Sequence, residues 1–162
     1  MSMIGNYLRV SEDDLSRLLA HPETVMDVIY REDGPDDATL DIDKSWHVIH
    51  FLLNGEAWEG QWPWFGAVLG GTEISDEDVG YGPARYLTPS QVQEVAGALQ
   101  TIDSEALLAR RDADAIRAAE LYPEGWQGSE SDRAYISSYY EQLRTFFEMS
   151  ATSKCAMIQW LS

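Results

Sequence analysis

The last eight residues, Cys155–Ser162 (CAMIQWLS), constrain the fold more than any other stretch. Apolar side chains fall on both faces of an extended chain there, the pattern of a strand covered on both sides. Three further segments are rich in β-formers: MIGNYLRV near the start, AVLGG around residue 69 and ARYLT around residue 86. Helical signals fill the spaces between them. Ser129 with Asp132 opens the longest helix, with Ile136, Tyr139, Tyr140, Leu143, Phe146 and Phe147 at three- and four-residue spacing. Thr88-Pro89-Ser90-Gln91 is a capping box with Pro at the first helical position, leading into Val92, Val95, Ala96 and Leu99. Ser11 with Asp14 caps an early helix presenting Leu15, Leu18 and Leu19, and Val25, Val28 and Ile29 form a second short one. Asp103 and Asp112 cap two short helices before Pro123. Strands at both ends and in the middle, with helices in blocks between, define an α+β chain rather than a βαβ alternation. The expectation is a single domain over residues 1–162, with a small mixed or antiparallel sheet of about four strands.

The segment LDIDKSWHVIHFLLNG, Leu40 to Gly55, holds two of the three histidines. A helix from about Asp43 to Leu53, stopped by Asn54-Gly55, puts Asp43, His47, His50 and Asn54 in one stripe. Trp46, Ile49 and Leu53 lie about a quarter-turn away as the core face. Carboxylate and imidazole at this spacing are weak candidates for metal ligation or an acid/base pair. The competing reading makes Asp41 and Asp43 helix-start acids and the histidines boundary residues bonded to backbone carbonyls. No other motif completes a metal set, and no cofactor is expected. GYGPARYLTP places Tyr81 and Arg85 around a glycine turn, but its spacing is neither a Walker A loop nor a dinucleotide fingerprint. An Arg paired with an acid is the structural reading there. Trp58, Trp62, Trp64 and Phe65 lie in a Gly- and Pro-punctuated segment, which reads as a lid with its own small core, a contact surface, or both.

Charge narrows the partners. Formal net charge is −17, and the first 81 residues carry 17 of the 28 acids against four bases. Such a chain repels nucleic acid and anionic membranes and suits a basic protein or cations. No apolar run reaches the roughly 20 residues of a membrane span, and the N-terminus has no secretory pattern. Cys155 is the single cysteine, expected as a small buried hydrophobe of the last strand and excluding an internal disulfide. The expected location is the cytoplasm.

MSMIGNYLRVS, LDIDKSWHVIHFLLNG, LGGTEI and GYGPARYLTPSQV occur in this order, with ELYP and the closing strand behind them. Together they resemble the YfbM-like family of bacterial proteins of unknown function. The resemblance implies a compact α+β fold of bacterial origin and no assigned activity. Asp43, Lys44, Trp46, His50, Gly55, Gly71 and the run Tyr81 to Arg85 lie in the segments that carry it. Two functions follow. The first is an interaction protein engaging a basic partner, for example as an immunity- or antitoxin-like protein. The second is a small-molecule binder or enzyme, with a pocket built from Asp43, His50, the Trp58–Phe65 loop and Arg85.

Overall fold

A computed structural model describes residues 1–162. In chain order its elements are β1 (Gly5–Val10), α1 (Glu12–Ala20), α2 (Val25–Ile29), β2 (Thr39–Asp41), α3 (Trp46–Asn54), β3 (Thr72–Glu73), β4 (Arg85–Leu87), α4 (Pro89–Gln100), α5 (Ser104–Leu108), α6 (Ala113–Ala118), α7 (Glu130–Thr152) and β5 (Ala156–Leu161). The five strands form one open antiparallel sheet in the order β2-β1-β5-β4-β3. The final strand is therefore central, paired with β1 on one side and β4 on the other. That explains its apolar residues on both faces.

The local helix signals act as expected. Ser11, Thr88, Asp103, Asp112 and Ser129 each accept a hydrogen bond from the backbone N–H three residues on, and Thr88 and Ser129 complete reciprocal capping boxes. Each such cap is worth about 1 kcal/mol. No helix is long and apolar enough to cross a membrane.

The sheet divides the core into two layers. Tyr7, Leu87 and Met157 point into a large cluster with α3, α4 and α7, while Leu8, Val10, Ala156, Ile158 and Trp160 point into a smaller one under α1 and α2. Leu15 and Leu18 enter the smaller cluster, but Leu19 is 38% exposed, because α1 buries only one narrow side.

Several expectations are corrected. There are five strands rather than about four, because Thr39–Asp41 adds an edge strand too short to show alternation. AVLGG is not a strand. Residues 64–67 form a 3₁₀ turn, and pairing begins only at Thr72. Cys155 is half-buried in the turn before β5, with Sγ against the Ser153 carbonyl. The helix expected from Asp43 begins at Trp46 after a 3₁₀ turn, and no side chain caps it. Asp43 itself has φ 48°, left-handed, so it leaves the stripe predicted for it.

Candidate functional site

Helix α3 has no polar face. Every residue from Trp46 to Leu53 is buried, His47 at 1% and His50 at 0% exposure. The sheet lies on one side, α5 and α7 pack alongside, and the loop after α3 covers the rest. Burying each large apolar side chain here contributes about 1.5–3 kcal/mol, and the two imidazoles are carried inside with them. A buried imidazole needs partners at both nitrogens.

His47 finds both on backbone, and His50 finds one on backbone and one on a side-chain amide. His47 Nε2 donates to the Ala57 carbonyl at 2.8 Å, and its Nδ1 accepts the Tyr122 N–H at 2.8 Å. His50 Nε2 donates to the Glu59 carbonyl at 3.1 Å, with the Asn54 amide 3.4 Å from its Nδ1. The carbonyl partners fix the Nε2–H tautomer of both rings. Burial disfavours the charged form of each. His47 falls below its ordinary pKa, and His50 falls to about 4, partly opposed by its bond to Glu59 and reinforced by the nearby His47 and Arg85. Two neutral imidazoles thus hold the start of the 55–70 loop onto α3.

The far end of that loop is held by the sheet. Register aligns Tyr7, Gln159 and Arg85 in one row across β1, β5 and β4, continued by Leu40 on β2 and Glu73 on β3. The Tyr7 hydroxyl donates to the Ala67 carbonyl at 2.7 Å. Gln159 Nε2 donates to the carbonyls of Gly66 at 3.1 Å and Gly70 at 2.6 Å. Arg85 reaches the carbonyls of Gly70 and Val68, each at 3.4 Å. Burial lowers the Arg85 pKa and raises that of Tyr7, and their mutual attraction opposes both shifts. Arg85 makes no ion pair with an acid, contrary to expectation; loop carbonyls take its donors instead.

Between these anchors the loop turns its indoles outward. Trp58 is 60% exposed and lies on the His47 ring, with centroids 4.3 Å apart. Trp62 is 41% exposed, and its Nε1 donates to a Glu94 carboxylate oxygen on α4. Gly66 makes room for that ring, since a Cβ there would lie 2.5 Å from it. Trp64 and Phe65 are half-buried, Phe65 edge-on to His50 at 5.7 Å between ring centroids. Trp64 and Phe65 thus turn inward as a lid would, while Trp58 and Trp62 face solvent.

The other sequence candidates lie apart. The Asp43 carboxylate accepts from the Tyr135 hydroxyl of α7 at 2.7 Å. Tyr81 belongs to the 74–84 loop, whose Ile74, Val79 and Ala84 pack on the opposite face of the sheet. No group of three or more His, Cys, Asp or Glu is arranged to hold a metal ion. The five principal cavities are lined by none of the eight candidate residues; the largest, about 510 Å³, lies around Leu121 and Trp126. Sequence reasoning missed Tyr7 and Gln159. The signal was a lone glutamine inside an otherwise apolar interior strand.

What the geometry defines is an α+β domain with helices on both faces of its sheet, in which buried polar side chains hold a tryptophan loop by its backbone. The chain belongs to the family described as Domain of unknown function (DUF1877), whose model matches residues 1–160. In structure it is similar to YfbM from Escherichia coli, a protein of unknown function, with a TM-score of 0.74 at 20% identity over 98% of this chain and 99% of that one. At that identity the likeness shows the fold alone. No curated protein matches the sequence.

Proposed function

We propose that the protein acts by protein–protein interaction, presenting Trp58 and Trp62 with their neighbouring acids to a basic partner in a reducing bacterial cytoplasm. One observation carries this reading. The ring nitrogens of His47 and His50 are occupied by loop backbone and neighbouring side chains, while the two indoles of that loop face solvent. Glu56 and Glu59 flank Trp58 in the chain and are exposed, and Glu94 meets Trp62; none of the three joins an ion pair. Exposed indoles beside unpaired carboxylates suit a basic surface, because aromatic anchors supply contact area and opposite charge steers approach. An immunity- or antitoxin-like role is one form of such binding.

The test is affinity capture from lysate at low and high ionic strength, with the wild type and a Trp58→Ala/Trp62→Ala variant. The expected result is a specific basic protein held at low salt, released at high salt and absent with the variant. Recovery of no specific protein, or of the same protein by both chains, overturns the reading.

A further inference from the structure

Trp58 is one wall of a ring cluster rather than a loose surface side chain. Tyr122 stacks on Trp46 at 5.9 Å, Trp46 stacks on His47 at 4.6 Å with planes 9° apart, and Trp58 leans against His47 at 4.3 Å with its plane tilted by 47°. His47 is locked by its bonds to Ala57 and Tyr122, so the ring that supports Trp58 is itself fixed. Trp58 meets no aromatic other than Trp46 and His47, which leaves a single open face and not a box. The chain's one cation–π contact, Arg144 over Tyr140, involves neither of the exposed indoles.

A supported, solvent-facing indole with unpaired, exposed glutamates two residues before it and one residue after it in the chain selects by shape. Quaternary ammonium groups favour cages of several aromatic walls, which this site lacks. Nucleobases also stack on single indoles, but the phosphates they carry meet Glu56, Glu59 and a chain of charge −17. A lysine ammonium is a hydrated point charge, whereas a guanidinium is planar and keeps its N–H donors in the plane while its face stacks. Resting on the interaction reading above, we propose that Trp58 is the receiving platform for an arginine of the basic partner, its guanidinium stacked on the indole and its in-plane N–H groups directed to Glu56 and Glu59.

Calorimetric titration of the full chain with hexaarginine and hexalysine, equal in charge, tests this at low ionic strength. Attraction to the acidic surface is common to both peptides, so the preference between them is the readout. Hexaarginine is expected to bind about tenfold tighter. Trp58→Ala abolishes that preference, and Trp58→Phe keeps part of it. The exposure of Trp58 lets Trp58→Ala fold, and Trp58→Phe preserves a ring over His47 in any case. Equal affinity for the two peptides overturns the arginine platform while the basic-partner reading stands. A preference that survives in Trp58→Ala also overturns it. If neither peptide binds, both readings fall.

Discussion

Two long loops of this protein are held to different degrees by the rest of the fold. The 55–70 loop has little regular structure of its own, yet carbonyls of Ala57, Glu59, Gly66, Ala67, Val68 and Gly70 accept from five buried or half-buried side chains of α3 and the sheet. The 74–84 loop is largely self-made. Asp78 Oδ1 accepts the N–H groups of Gly80 and Gly82, and the Tyr81 N–H donates to the Leu161 carbonyl at the end of β5. The first loop depends on five distant side chains being in place; the second rests on local turn chemistry, one backbone contact, apolar packing and a single distant side chain, Tyr30, whose hydroxyl donates to the Val79 carbonyl at 2.7 Å. A loop clamped from below can hold indoles outward in fixed positions, which a self-made loop at the sheet edge does less firmly.

The largest break of this contrast comes from His50→Ala. It opens a cavity under the 55–70 loop and leaves the Glu59 carbonyl without its donor, so urea unfolding should show a loss of about 3 kcal/mol. A loss under about 1 kcal/mol would reduce His50 to filler.

Acid should act through the same residue. The folded protein keeps His50 neutral down to about 4, whereas the unfolded chain takes up the proton near 6.5. Stability is therefore complete above about 6.5 and declines as pH falls toward about 4, where the loss is finished. The decline attributable to His50 is on the order of 3 kcal/mol. Relief of the −17 repulsion acts on every variant alike, so the check is the difference from His50→Gln. Its unfolding midpoint should fall less between neutral pH and pH near 4 than that of the wild type; parallel profiles would remove His50 from the explanation.

The smallest effect belongs to the other loop. Asp78→Ala removes the acceptor of two N–H groups that water can satisfy, since the residue is fully exposed. The urea midpoint should stay close to that of the wild type, with amide exchange speeding up only at Gly80 and Gly82. Faster exchange spreading into the 55–70 loop would show that the two loops are coupled.

Sequence determined the parts of this protein whose causes are local. Ser11, Thr88, Asp103, Asp112 and Ser129 start their helices because a cap acts within three residues, and Gly55 ends α3 because φ 80° favours glycine. The two apolar faces of the last strand likewise announced an interior position. Tertiary structure alone decided the meaning of the histidine helix. The stripe of Asp43, His47, His50 and Asn54 read as polar because charge and hydrogen-bonding capacity are visible in a sequence while partners are not. His47 is satisfied by Tyr122, 75 residues away, and Gln159 by carbonyls about 90 residues earlier. No periodicity encodes bonds of that separation. Whether a histidine is a ligand, an acid or a clamp depends on which atoms the fold brings to its two nitrogens, and here three of the four meet loop backbone and the fourth the Asn54 amide.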